Sequence, residues 1–312
     1  MASEAQGAAT QVFSMDPSSE RHIKSYRGRL APSPTGYLHV GHARTFRTAF
    51  DRAREAGGTL VMRMEDLDLE RSRTAYAEAA LEDLRWLGIE WQEGPDMGGP
   101  FAPYAQSERS AFYYEAWQRL LRGGFLYPCR CSRKDLEAAL AAPHEGTAGA
   151  GEDQDALDSE PIYPGICRNN PIVSGPEAGE GFNWRFRVPD GEAIEFEDLN
   201  LGAQRFVAGV DFGDFVVWRR DASPSYQLAC VADDAAMGIT EVVRGADLLK
   251  STARQILLNR ALGYQNPAWF HCRLAVDADG RRLAKRHDAL SIRSLRQRGF
   301  APTEILSGSL SL

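Results

Sequence analysis

His39 and His42 stand either side of Gly41 in the run Arg29-Leu-Ala-Pro-Ser-Pro-Thr-Gly-Tyr-Leu-His-Val-Gly-His42. Two imidazoles this close can donate hydrogen bonds to phosphate oxygens as charge builds on them in a transition state. The glycine between them allows the backbone to approach a nucleotide closely. A second run, Met62-Arg-Met-Glu-Asp-Leu-Asp68, offers Glu65 as an anion. A third, Val242-Val-Arg-Gly-Ala-Asp247, offers Arg244, whose planar guanidinium can hold a carboxylate through two parallel hydrogen bonds. A fourth, Arg281-Arg-Leu-Ala-Lys-Arg286, offers Lys285, a point charge suited to a migrating pyrophosphate. Each run alone also has a plainer reading: histidines beside a surface turn, a solvated acidic turn, a surface ion pair, a solvated basic hairpin.

Chemistry of this kind needs a scaffold that brings distant runs together, and the periodicity supplies one. Arg27–Pro32 reads as a strand ending in a Pro/Ser/Gly turn. Gly41–Ala56 reads as a helix stopped by Gly57-Gly58, Thr59–Met64 as a buried strand, and Thr74–Leu87 as a helix with Tyr76, Ala80, Leu84 and Leu87 on one face. Alternating strand and helix predicts a βαβ unit with a parallel sheet, which binds ligands beyond the carboxyl ends of its strands, where a helix N-terminus favours phosphate. The alternation returns late, with strands expected at Tyr226–Val231, Glu241–Val243 and Trp269–Val276 and a helix at Ser251–Leu262. The fold class expected is α/β: a Rossmann-type parallel sheet interrupted by an inserted α+β subdomain, which the family resemblance given below implies to be zinc-binding. The expected division is a tail at 1–25, a first half at 26–103, an insertion at 104–218 and a second half at 219–312.

The composition limits the alternatives. With 312 residues, 43% hydrophobic and 25% charged, the chain can bury a full core. Five cysteines, an odd number, argue against a disulfide framework and for a reducing cytoplasm. No apolar run approaches a membrane span, and the first 25 residues lack the apolar segment of a signal peptide. The net charge of −7 speaks against binding nucleic acid by nonspecific attraction. It does not exclude a local patch, because residues 281–298 hold seven Lys or Arg against one Asp.

In this order, and together with Tyr226-Gln-Leu-Ala-Cys-Val-Ala-Asp-Asp234, the four runs resemble the glutamyl group of class I aminoacyl-tRNA synthetases over about residues 26–295. The fourth run departs from the family's lysine loop in having Ala284 where a serine is usual. The resemblance implies ATP-dependent activation of L-glutamate, in which the α-carboxylate attacks the α-phosphorus of ATP and Mg²⁺ accompanies the nucleotide. It implies Arg29 and Arg244 as the pocket's cations, Glu65 as its anion, and Ser33 and Tyr226 as hydrogen-bond partners, with Leu30, Ala31 and Pro32 completing the glutamate site. His39, Gly41, His42 and Lys285 would bind ATP; His39, His42 and Lys285 would stabilise the reaction's developing charge, with no side chain acting as nucleophile.

Only about twenty residues follow the lysine loop. That shape resembles the branch of the family that attaches glutamate to queuosine at the wobble position of tRNA(Asp) and activates glutamate without tRNA. Cys129-Arg-Cys131 and Tyr163-Pro-Gly-Ile-Cys167 resemble that branch's structural Zn²⁺ site. Tyr163 is an unusual fourth ligand, for which a water or His144 could substitute. The thirty-one residues at 132–162 make a longer gap than the branch implies, and the polar stretch 141–160 reads as a tolerated surface insertion. Cys230 and Cys272 read as buried strand residues. A monomer is expected, with no membrane partner. Three alternatives stay open: a shortened glutamyl-tRNA synthetase charging a 3′ end, a non-catalytic RNA-binding paralogue, and a different nucleotidyltransferase.

Overall fold

Strand β1 (Arg27–Leu30) pairs in parallel with β2 (Thr59–Met62), Arg27 opposite Thr59 and Leu30 opposite Met62, and α1 (Val40–Glu55) makes the crossover. The structure is a computed structural model that describes residues 25–132, 134–136, 162–169, 181–274 and 291–307. Helix α1 buries Val40, Ala43, Phe46, Ala49 and Ala53 at helical spacing. That stripe packs into one cluster with Leu30, Leu60 and Met62 of the strands, and each large side chain so buried contributes roughly 1.5–3 kcal/mol. Gly57 ends the crossover at φ +59°, a backbone angle that costs glycine little.

Helices α2 (Thr74–Trp86) and α3 (Ser110–Arg122) follow. An antiparallel ladder then forms from β3 (Leu126–Cys129), β4 (Asn183–Phe186) and β7 (Phe215–Trp218), in the order β3-β4-β7. Trp117 of α3, Trp184 and Trp218 meet at its face with ring centroids 5.5 and 5.6 Å from Trp117. The hairpin β5 (Ala193–Asp198) and β6 (Gly202–Val207) falls inside 104–218, yet it leaves that ladder. β5 pairs in parallel with β9 (Ala268–Cys272) at Asp198–Trp269, and β9 pairs in parallel with β8 (Glu241–Gly245). The order of this second sheet is β6-β5-β9-β8, parallel except at its hairpin edge. β8 runs beside β1 of the first sheet: the Thr240 N–H, just before β8, donates to the Arg27 carbonyl at 2.9 Å, and the Arg27 N–H to the Thr240 hydroxyl at 2.8 Å. The α/β class with a parallel sheet is therefore observed, and the ligand-binding edge runs past the ends of β1, β2 and β8.

The strand expected at Tyr226–Val231 is instead helix α4 (Tyr226–Ala236). Ser225 caps it, its side chain accepting from the Leu228 N–H. Every residue from Gln227 to Asp234 is buried, so the segment has no solvated face to mark a helical period and its short apolar run resembles a strand. Cys230 accordingly sits on a helix, while Cys272 does end a strand, β9. Helix α5 (Leu249–Leu262) closes on Gly263, and α6 (Ile292–Gln297) and α7 (Pro302–Ser307) are short. No helix of the described residues is long and apolar enough to cross a membrane.

Candidate active site

β1 and β2 continue their parallel register beyond their ends. The Arg63 N–H donates to the Leu30 carbonyl at 2.8 Å and the Glu65 N–H to the Pro32 carbonyl at 2.9 Å. The two runs met separately in the sequence are thus laid side by side. A cavity of about 690 Å³ opens there, a size usual for small-molecule and cofactor sites. Arg29, Glu65, Tyr226, Arg244, His39 and His42 all line it, as do Ala31, Pro32, Ser33 and Gly41. Leu30 does not: its side chain is fully buried in the core beneath. Lys285 and His144 lie outside the described residues. The described ends of the Lys285 loop do meet the site, since Arg273 and Leu274 line the cavity and Ser291 bridges to His39.

At one end of the cavity, His39 is the N-cap of α1. Its Nδ1 accepts from the Gly41 N–H at 3.1 Å, and the His42 Nδ1 accepts from the His39 N–H at 3.4 Å. In a neutral imidazole whose Nδ1 accepts, the proton sits on Nε2. The cap therefore makes each ring an Nε2–H donor, and stacks the two with centroids 3.7 Å apart. Gly41 has a second reason to be glycine: a Cβ there would lie 2.9 Å from the His39 ring.

The other end is charged and dry. Arg29 and Arg244 are 4% and 5% exposed and Glu65 9%, so their charges act at low dielectric. Arg29 donates from a terminal nitrogen to the Val243 carbonyl at 2.9 Å, and its Nε lies 3.5 Å from Asp234. The Glu65 Oε1 accepts from Arg63 at 3.0 Å, and the Cys230 thiol is 3.5 Å away. Burial raises the Tyr226 hydroxyl well above the usual phenol range and keeps it a neutral donor. Such a cavity has the charges for a zwitterion carrying one additional carboxylate: two cations for two acids, one anion for the ammonium.

Sequence reasoning missed the layer beneath. Arg63 is fully buried between three acids, 2.6 Å from Asp234, 3.0 Å from Glu65 and 3.8 Å from Asp233. Asp233 also accepts from Arg109 Nε, Gln106 Nε2 and the Tyr113 hydroxyl. One signal was present. Arg63 and Glu65 are two apart in a strand-like apolar run, so both point to the same face.

The cysteine runs also converge, away from the cavity. The Sγ atoms of Cys129, Cys131 and Cys167 all lie within 4.8 Å of one another, buried and unbridged. The Tyr163 hydroxyl is 3.5 Å from the sulfurs of Cys129 and Cys131. A tetrahedral Zn²⁺ with ordinary bond lengths would set sulfurs about 3.8 Å apart and a sulfur and an oxygen about 3.5 Å apart. These four side chains fit it. The Cys167 N–H donates to the Tyr163 oxygen at 2.9 Å, and Arg185 donates from Nε to the Cys129 sulfur at 3.3 Å with its guanidinium 3.7 Å over the Tyr163 ring. Both contacts favour anionic ligands.

Residues 25–311 match the family model described as "tRNA synthetases class I (E and Q), catalytic domain". The chain is 50% identical to the glutamyl-Q tRNA(Asp) synthetase of Symbiobacterium thermophilum, over 89% of this chain and 84% of that protein. It is 47% identical to the protein of the same name from Nitratidesulfovibrio vulgaris, over 92% and 85% respectively. Its fold superposes with a TM-score of 0.70 and 28% identity on a crystal structure of a glutamate tRNA ligase from Elizabethkingia meningosepticum in complex with its amino acid. The match covers 89% of this chain and 54% of that longer one.

Proposed function

The chain belongs to the class I (E and Q) tRNA synthetase catalytic-domain family, and we propose that it activates L-glutamate with ATP and Mg²⁺ and passes the glutamyl group to queuosine in tRNA(Asp). The observation that carries the activation step is that Arg29, Arg244 and Glu65 line one cavity with the His39–His42 pair, in a wall that also holds Asp247, Arg254 and Arg273. Glutamate's two carboxylates and one ammonium complement the charges of Arg29, Arg244 and Glu65. An analogue lacking the carboxylate that meets Arg244 would leave that buried cation with neutral partners only, so it is rejected strongly.

In the reaction the protein positions and stabilises charge. The glutamate α-carboxylate oxygen attacks the α-phosphorus, and the bond to the departing pyrophosphate breaks. The Nε2–H groups of His39 and His42 face the phosphates from the N-terminus of α1, whose dipole also favours negative charge. Lys285 is assigned to the pyrophosphate on the sequence alone.

The acceptor is proposed from the likeness to the two glutamyl-Q tRNA(Asp) synthetases, which this chain matches over most of their length. A second reading, charging of a tRNA 3′ end, is kept by the likeness to a glutamate tRNA ligase fold. Glutamate-dependent ATP–pyrophosphate exchange separates them. We expect exchange with purified protein and no RNA, followed by transfer of labelled glutamate to queuosine-bearing tRNA(Asp) and not to the same tRNA lacking the modified base. Exchange that starts only when tRNA(Glu) is added would sink the queuosine reading.

Cys129, Cys131, Tyr163 and Cys167 are assigned to one structural Zn²⁺, which would hold the β3 end to the segment carrying Cys167. Oxidising the thiols of the purified protein is expected to release about one zinc per chain, and Cys167→Ser to bind less than half of that. Stoichiometric metal retained by Cys167→Ser would remove this residue from the ligand set.

A further inference from the structure

Arg244 is held in an unusual way for a buried cation. Its Nε donates to His271 Nε2 at 3.2 Å, one terminal nitrogen to Gln255 Oε1 at 2.9 Å, and the other to Thr252 Oγ1 at 2.6 Å. All three acceptors are neutral. Among the described residues no carboxylate forms an ion pair with it. Arginine carries five N–H groups, so these three bonds leave one N–H on each terminal nitrogen for a ligand.

The hydrogen-bonded chain that starts at Arg244 reaches an acid only one ring further back. His271 is fully buried, and its Nδ1 lies 2.6 Å from Asp198 Oδ2. Asp198, 1% exposed, also accepts the backbone N–H groups of Asn200, Leu201 and His271. A carboxylate so surrounded by donors is an acceptor only, so His271 carries its proton on Nδ1 and presents a lone pair at Nε2. That lone pair lies 3.2 Å from the Arg244 Nε and 3.1 Å from Thr252 Oγ1; the Thr252 hydroxyl has the Leu248 carbonyl as an acceptor of its own at 3.3 Å, which leaves the lone pair to the Arg244 Nε–H.

We propose that His271, fixed in its Nδ1–H tautomer by Asp198, is a positioning residue for glutamate binding: it orients the Arg244 guanidinium without neutralising it. A carboxylate placed directly on Arg244 would orient it as well but would compete with the substrate for the same charge. A neutral imidazole orients and does not compete. Protonated, the ring would turn a second donor on the Arg244 Nε–H and expel it. The pKa of His271 is pushed down to about 4, first by burial and then by Arg244 itself, against the pull of Asp198. The ring therefore stays neutral at physiological pH.

The proposal rests on the reading that Arg244 takes a glutamate carboxylate, and two side-chain amides test it. Gln at 271 can place a carbonyl oxygen near the Nε2 position and accept from Arg244. Asn is too short to do so and reaches only toward Asp198. We expect His271→Asn to raise the KM for glutamate about tenfold to a hundredfold, with kcat and the KM for ATP within about threefold of wild type. His271→Gln is expected to recover most of that loss. Equal KM values for the two variants, or a wild-type KM in His271→Asn, would overturn the proposal.

A second readout uses the unmodified protein. Imidazole ¹⁵N shifts should show one ring that stays neutral down to about pH 5 with Nε2 unprotonated; a proton on Nε2 of that ring would overturn the proposal even if neither variant folds. Failure of the glutamate reading looks different, because wild-type protein would then show no glutamate-dependent exchange while the ring still had this tautomer.

Discussion

Arg63→Met is expected to lower the melting temperature by about 10 °C and to abolish glutamate-dependent exchange. Methionine fills the straight part of the arginine side chain but leaves Asp234 and Glu65 without their closest cation. Breaking a buried pair by removing one partner costs about 3–5 kcal/mol, and in a domain of this size each kcal/mol is worth about 2–4 °C. Function suffers separately. The Arg29 Nε is already 3.5 Å from Asp234 and becomes its only nearby cation, so it is drawn from the cavity, while Glu65 loses the bond that aims it. The pH dependence gives the sign. In the wild type, burial works to raise the Asp234 carboxyl, but Arg63 and Arg29 overcome it and hold it below the usual range. Its contribution is thus present above the unfolded pKa and is lost as pH falls through the lower folded value. Without Arg63, burial dominates and the folded pKa rises above the unfolded one. The variant should then gain stability as pH falls from 8 toward 5.5, narrowing its deficit against wild type. A deficit that is constant over that range, measured by denaturant melts, would mean that Arg63 is not holding Asp234 ionised.

How much of this the sequence disclosed depends on how each residue signals itself. The crossover from β1 through α1 to β2 was legible because α1 keeps a polar face, so Val40, Ala43, Phe46, Ala49 and Ala53 stand out at helical spacing. Helix α4 was illegible for the opposite reason, being buried on every side from Gln227 to Asp234. The error had a consequence for the site. On a strand, Tyr226, Cys230 and Asp234 share a face only as members of a two-residue alternation; on a helix they are successive residues of an i, i+4 row. That row explains how Tyr226 lines the cavity while Cys230 touches Glu65 and Asp234 meets Arg63 just behind it. The proposed substrate residues that line the cavity were readable from their motifs. Those that hold them were not, since His271 and Asp198 are 73 positions apart and Arg63 and Asp234 are 171 apart. Pairing at such separations is set by the sheet order β5-β9-β8 and by the approach of α4 to the chain just past β2, neither of which has a local spacing to read.

Arg244→Gln is expected to lower kcat/KM for glutamate by about a thousandfold or more and yet to change the melting temperature by no more than about 3 °C. Activity falls because a site built to pair a carboxylate discriminates by factors of about 10⁴ or more once that pairing is lost. Stability holds because Arg244, unlike Arg63, touches only neutral acceptors. Burial pulls its pKa below the ordinary arginine value, which means that the folded chain holds this cation against a desolvation penalty. Removing it lifts that penalty while the glutamine amide takes over part of the hydrogen bonding. Both arginines are buried, with two side-chain hydrogen bonds from Arg63 and three from Arg244, so a contact tally would not single out Arg63; the charge of their partners does. The same reasoning fixes the response to ligand. A glutamate carboxylate on Arg244 supplies the missing anion, so glutamate at a hundred times its dissociation constant should stabilise the wild type by about 2.7 kcal/mol and leave Arg244→Gln unshifted at the same concentration. A variant that melts far below wild type, or one that glutamate still stabilises, would show that Arg244 is paired within the fold and that the second carboxylate is held elsewhere.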